Sequence, residues 1–317
     1  MSELILRVEH LKKYFNTPFG TLKAVDDINF SVCKGETIGI VGESGCGKST
    51  LGRTILRLHE PTSGHVYFHG EDITKYNAGK MKHTRTSMQM IFQDPYSSLN
   101  PRMTVSQAIA APLLIQGIYS RKQKAELEKE VLRIMELVGL SKRLTNSYPH
   151  ELDGGRRQRI GIARALALEP EIIICDEPVS ALDVSIQAQI LNLMQDLQEQ
   201  FNLTYLFITH DLSVVKHLSN QIIVMYLGQI IEMASPDEIF KNPLSPYTKA
   251  LLSAIPIPNP DIHMDRIILK GEITSPINVG EGCRFAKRCN NACAECSAKS
   301  VPLREVSPGH FVACCRI

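Results

Sequence analysis

No stretch of this 317-residue chain approaches the roughly 20 consecutive apolar residues of a membrane-spanning helix. The longest candidate, Ala108 to Ile118, is interrupted by Pro112 and Gln116. The opening residues, Met1 to Arg7, lack both a basic n-region and a long apolar core, so no secretory signal is expected. Excess charge is also missing: the formal net charge of +2 is too small for a nucleic-acid binder. There is no internal repeat. Cysteine is sparse over the first 280 residues, where only Cys33, Cys46 and Cys175 occur. With 44% hydrophobic and 21% charged residues, the chain has the composition of an ordinary globular protein with a sizeable core. Its length suggests about two domains. The expected location is the cytosol, with docking on a membrane protein left open.

What is present begins with Gly42-Glu43-Ser44-Gly45-Cys46-Gly47-Lys48-Ser49-Thr50, a complete G-x-x-x-x-G-K-S/T loop. Before it, Thr37 to Val41 is short, apolar and β-branched, as in a buried strand. After it, Leu51, Ile55 and Leu58 give helical spacing over Lys48 to Leu58. A glycine-rich turn between strand and helix lets backbone N–H groups converge on phosphates, and the helix N-terminus adds positive dipole. Lys48 would reach the β- and γ-phosphates and Ser49 would ligand Mg²⁺. The chain is therefore expected to bind a nucleoside triphosphate.

A second half-site follows the same logic. Ile172 to Cys175 is an apolar run ending in Asp176-Glu177. A buried strand that stops in acid delivers carboxylates to the edge of a parallel sheet. Phosphoryl transfer needs one carboxylate to hold Mg²⁺ and one group to orient or deprotonate the attacking water. Asp176 is assigned the first role and Glu177 the second. Leu206 to Thr209 is another apolar strand ending at a polar switch, with His210 placed to contact the γ-phosphate. Gln93 ends a third, Met90-Ile91-Phe92, and would reach Mg²⁺ or the water. Leu152-Asp153-Gly154-Gly155-Arg156 opens a basic helix whose N–H groups form an anion site. Its remoteness from the chain's own loop in such a fold suggests a nucleotide clamped between two subunits.

Elsewhere, Leu4 to Val8 and the alternating Asp27 to Val32 read as strands, as does His65 to Phe68 after the turn at Pro61 to Gly64. Residues 102 to 168 turn helical. From Glu171, a strand, a helix over about Ile186 to Gln200 and the strand Thr204 to Ile208 alternate as in a parallel α/β sheet. Pro256, Pro258 and Pro260 mark a linker or domain boundary.

Over residues 1 to 255 this pattern resembles the ATP-binding-cassette ATPases. Gly42 to Thr50 matches Walker A, Gln93 the Q-loop, and Leu152 to Gln158 the signature motif. Ile172 to Glu177 matches Walker B with its catalytic glutamate, Asp183 the D-loop, and His210 the switch histidine. The resemblance implies an α/β nucleotide-binding domain with a RecA-like core, an antiparallel β subdomain and a helical subdomain at about 102–168. It also implies an aromatic stacked on adenine, for which Phe15 has the better register and Tyr14 is the alternative. The ATP and Mg²⁺ contacts fall on Gly42, Ser44, Gly45, Cys46, Gly47, Lys48, Ser49, Thr50, Gln93 and Asp176. Asp153, Gly154, Gly155 and Arg156 act in trans on the partner's nucleotide.

Phe92 to Pro101, Cys175 to Ser185 and Pro246 to Leu252 are similar to the dipeptide/oligopeptide and nickel importer subfamily, and so are the tail strings Gly282 to Phe285, Arg288-Cys289, Pro302-Leu303 and Pro308 to Cys314. That resemblance implies two transmembrane permeases, a paralogous ATPase in a heterodimer, and indirectly an extracytoplasmic binding protein. It places the chain on the cytoplasmic face of the inner membrane, and no nucleic-acid partner is expected, in line with the small net charge. Nickel or another small solute stays open as cargo. A soluble non-transport cassette ATPase is the competing class, but the second cassette or coiled-coil insertion of such proteins is missing.

The remaining six cysteines crowd into 256–317, a cysteine-rich C-terminal extension. In a reducing compartment, clustered thiols point to a metal more than to disulfides. Cys283, Cys289, Cys296 and Cys314 occupy the positions that hold a 4Fe–4S cluster in subfamily members, with zinc the alternative; Cys293 and Cys315 are extra.

One departure stands out. The family's signature serine is Asp153 here, which cannot donate a hydrogen bond when ionised and sets negative charge against the γ-phosphate. Either Arg156 offsets this, or the composite site that Asp153 completes is slow and the pair is asymmetric.

Overall fold

The computed structural model describes residues 3–120, 122–256, 265–271 and 276–317. Met1 and Ser2 of the opening segment, and Ile257 to Pro260 of the proline linker, lie outside the described residues. The chain divides into two compact units, 1–74 with 207–317, and 75–206.

The first stretch of the first unit runs β1 (Leu4–Thr17), β2 (Gly20–Cys33), β3 (Thr37–Val41), α1 (Lys48–Ile55), β4 (Ser63–Phe68) and β5 (Glu71–Asp72). β1 and β2 form a long antiparallel hairpin, extended by β4 and β5 in the order β2-β1-β4-β5. β1 runs nine residues past the expected end at Val8. The alternation is hidden there because the pairing slips between Val8 and Lys13, and His10 takes a positive φ of 48°. β3 has the expected limits, and all five of its residues are buried. α1 stops three residues short of Leu58: Arg57 has φ 51°, and its guanidinium donates to the Ile73 carbonyl and to Glu60.

The second unit holds α2 (Ala78–Ser87), β6 (Met88–Ile91), α3 (Pro95–Ser98), α4 (Val105–Gln116), α5 (Lys124–Leu137), α6 (Gly154–Leu166), β7 (Ile172–Asp176) and α7 (Val184–Phe201). β6 and β7 pair in parallel. α4 starts in a Thr104–Gln107 capping box and continues through Pro112. α4, α5 and α6 occupy the segment expected to be helical. β8 (Thr204–Thr209) leads back into the first unit.

There the chain adds α8 (Leu212–Leu218), β9 (Gln221–Tyr226), β10 (Gln229–Ala234), α9 (Pro236–Lys241), α10 (Pro246–Ser253), α11 (Ala294–Ala298), β11 (Arg304–Ser307) and β12 (His310–Val312). β3 and β9 pair in parallel, β9 and β10 antiparallel. β12 then adds to β10, and β11 to β12. The cysteine-rich segment thus belongs to the same compact unit as the phosphate loop. It is anchored by His310, whose buried Nε2 lies 2.8 Å from Glu232 Oε1. Glu232 also accepts from the backbone of Leu244 (2.7 Å) and Ser245 (3.0 Å).

Candidate functional site

The loop after β3 is shaped by two glycines. Gly42 and Gly47 have φ of 156° and 107°, and a Cβ on either would lie 2.2 Å from the Met225 carbonyl oxygen or 2.0 Å from that of Ala24. Only glycine fits such close backbone approach. Lys48 is buried and its Nζ donates to the carbonyls of Gly42 (2.7 Å) and Glu43 (3.0 Å). Ser44 and Gly45 are exposed, and Ser49 and Thr50 sit half-buried in the first turn of α1. Gly47 is the N-cap of α1 and brings no side chain to it, so the positive end of the helix dipole is presented without a capping group. Burial raises the Cys46 thiol above its usual range, which makes it a packed, unreactive group.

Of the two candidate aromatics, Tyr14 has its hydroxyl committed to Asp26. Phe15 is half-buried, edge-on to His59 at 5.6 Å, with Lys13 Nζ 4.8 Å from its ring centre. His210 is exposed just past β8.

In the second unit, β7 delivers Asp176 fully buried. Glu177 follows with φ 47°, a left-handed conformation that is uncommon without glycine and that concentrates at functional positions. Gln93 Nε2 donates to Glu177 Oε2 at 2.8 Å, so two residues chosen separately in the sequence meet. Asp153 is the N-cap of α6: its Oδ1 accepts from the Arg156 N–H (2.8 Å), and its Oδ2 lies 3.3 Å from the Arg156 guanidinium. The acid at the signature position is thus both a cap and half of an exposed ion pair. Gly155 is buried and Gly154 half-buried. Asp183 is the exposed N-cap of α7 and makes no side-chain capping bond.

The cysteines form two overlapping sets. Cys283, Cys289, Cys296 and Cys314 line one small cavity, together with Cys315. The Cys283 N–H donates to the Cys296 carbonyl at 2.7 Å, which joins two of the expected ligands through the backbone. Burial first, and then neighbouring thiols, push Cys283 and Cys289 upward. The shortest sulfur separations fall elsewhere. Cys296 Sγ lies 3.1 Å from Cys315 and 3.4 Å from Cys293, which are 4.0 Å from each other.

The contacts that Arg284, Arg288 and Tyr247 make near the phosphate loop were not legible in the sequence, where these residues stood out only as parts of strings that resemble the subfamily. Arg288 donates to both Glu43 carboxylate oxygens (2.7 and 3.1 Å). Arg284 donates to Asp26 and to the Leu227 carbonyl, with both members of the Arg284–Asp26 pair buried. Tyr247 Oη accepts from the Glu43 N–H at 3.0 Å. Glu43 and Arg288 are 245 residues apart, and no local pattern signals such a pairing.

Comparison with known proteins identifies the family. The ABC transporter family profile matches residues 25–180, and that of the oligopeptide/dipeptide transporter C-terminal region matches 231–296. The chain is 51% identical to the oligopeptide transport ATP-binding protein AppF of Bacillus subtilis, covering 98% of this chain and 97% of that one. It is 53% identical to OppF of the same organism, an oligopeptide transport ATP-binding protein, over 99% and 97% of the two. Among solved structures it is similar to the ATP-binding cassette MJ0796 bound to ADP and Pi in a dimeric, post-hydrolysis state. There the TM-score is 0.67 at 28% identity, over 73% of this chain and 99% of that one. The chain belongs to the ABC transporter ATP-binding proteins, those that carry the oligopeptide/dipeptide C-terminal region. It is an ABC ATPase acting on Mg-ATP. Among the described residues no helix is long and apolar enough to cross a membrane.

Proposed function

We propose that the chain is the ATP-hydrolysing subunit of an importer for dipeptides or oligopeptides, docked on the cytoplasmic side of two permease subunits. The observation that carries the hydrolytic reading is the Gln93–Glu177 contact beside the buried Asp176. Lys48 and the N-terminus of α1 neutralise the phosphates, and Ser49 and Asp176 hold the magnesium of Mg-ATP. Glu177 orients and deprotonates the attacking water, Gln93 positions that carboxylate, and His210 contacts the γ-phosphate. Phe15 stacks on adenine, since Tyr14 is engaged by Asp26. Asp153, Gly154, Gly155 and Arg156 serve the nucleotide of a paralogous partner, and Asp183 lies at that same interface. An extracytoplasmic binding protein supplies the peptide. The cargo reading is supported by the oligopeptide/dipeptide transporter C-terminal region at 231–296 and by the oligopeptide transport ATP-binding proteins to which the chain is similar.

Five thiols, those of Cys283, Cys289, Cys296, Cys314 and Cys315, line one cavity and suit a soft metal or a cluster. Cys283, Cys289, Cys296 and Cys314 would hold a 4Fe–4S cluster, whose contribution is to tie four separate segments of a tail with little core of its own. A second reading is favoured by the close sulfurs of Cys293, Cys296 and Cys315: zinc on that triad.

The test is reconstitution with the two permeases and a binding protein in vesicles. Uptake of labelled peptide that requires Mg-ATP is expected. Hydrolysis that ignores peptide but answers to nickel would replace the cargo, and failure to co-purify with any permease would refute the transport reading.

A further inference from the structure

The phosphate loop is held at both ends, and an arginine of the cysteine-rich tail takes part in each hold. At the leading end, the side chain of Glu43 is clamped by Arg288 in a two-pronged pair with exposures of 20% and 9%. The backbone of Glu43 is fixed as well: its N–H donates to Tyr247 Oη, and its carbonyl accepts from Lys48. Tyr247 packs against Tyr226 and against Phe285 of the tail, with ring centres 4.7 and 5.2 Å away. At the trailing end, the Cys46 carbonyl accepts from the Gly228 N–H (2.7 Å), and the Gly228 carbonyl accepts from the Asp26 N–H (2.8 Å). Arg284 holds both Asp26 and the neighbouring Leu227 carbonyl. The two arginines are four residues apart and flank Phe285; Arg284 adjoins Cys283, and Arg288 adjoins Cys289.

A phosphate loop binds by presenting backbone N–H groups already aimed at one point, so whatever fixes its backbone sets its affinity. We infer that Arg288, acting through Glu43, and Arg284, acting through Asp26, are positioning residues for ATP binding. The tail is then a brace on the nucleotide site as well as an appendage to the fold. The inference rests on residues 42–50 being the ATP site, as proposed above. Linkage makes the effect reciprocal: bound nucleotide must tighten the tail by the same factor that the brace tightens nucleotide.

The experiment titrates the purified full-length chain with a fluorescent ATP analogue in Mg²⁺, and follows amide hydrogen exchange over residues 283–289 with and without the analogue. Arg288→Lys keeps the charge but loses the fork. It is expected to weaken binding about tenfold, inside the usual range for coupled sites. Glu43→Gln should do the same, the double variant should be little worse than either, and KM should change more than kcat. In the wild type the analogue should slow exchange at 283–289, and in the variants it should not. Variants that bind as the wild type does, or wild-type exchange in the tail indifferent to nucleotide, would overturn the brace. The exchange measurement stands on the wild type alone should a variant fold poorly. A wild type that binds no nucleotide would bring down the ATP-site reading and the brace together.

Discussion

The phosphate loop and the cysteine-rich tail share one compact unit, yet they store their chemistry differently. The loop is contiguous: nine residues, one strand before and one helix after, with each role set by position in a short string. The tail is assembled from distant pieces. Its thiols come from 283 to 315, its β12 borrows β10 as a partner, and its arginines find acids at Asp26 and Glu43. A site written in one stretch can be read from residue types and spacing. A site written across the chain needs the fold before its partners are known.

Replacing the tail's thiols one at a time should break that comparison most sharply. On the proposed cluster, Cys283→Ser is expected to cut iron and sulfide to below about one-tenth, at least the effect of losing a residue that merely supports a ligand. Cys293→Ser should leave both in place. The check is metal and sulfide analysis of protein purified without oxygen, alongside thermal melting. Zinc in place of iron, lost with Cys293→Ser or Cys315→Ser and kept with Cys283→Ser, would transfer the site to the Cys293, Cys296 and Cys315 triad.

A smaller effect is expected at Asp153. Serine is also a good N-cap, so Asp153→Ser keeps α6 intact while it removes the charge and restores a hydroxyl donor. Because Asp153 already pairs with an exposed Arg156, the electrostatic change is modest. Turnover of the assembled transporter should rise by about threefold, measured as phosphate release at saturating Mg-ATP. Unchanged turnover would mean that Arg156 compensates fully and that both composite sites work alike.

The local pattern predicted much of the ATPase framework and little of what surrounds it. β3 and β7 were legible because both are fully buried, Ile38 to Val41 and Ile172 to Cys175 being apolar, with β7 closing on an acid. Gln93 and Glu177 were legible as functional types, although their contact was not. The far half of β1 was hidden by slipped pairing and by a residue at positive φ. β9 and β10 passed without notice, although apolar runs lie on either side of Gly228-Gln229. The helix–tail packing around Tyr247, and the arginine clamps on Glu43 and Asp26, have no sequence period at all. They exist because the C-terminal strands return to the sheet that carries the loop.

The account turns on Glu177 as the group that activates water beside a buried Asp176. Mg-ATP hydrolysis by the purified transporter carrying Glu177→Gln tests this directly, with nucleotide binding measured on the same sample. The expectation is a fall in turnover of about a hundredfold or more, the scale of a lost general base, with binding retained. Turnover at the wild-type rate would contradict it.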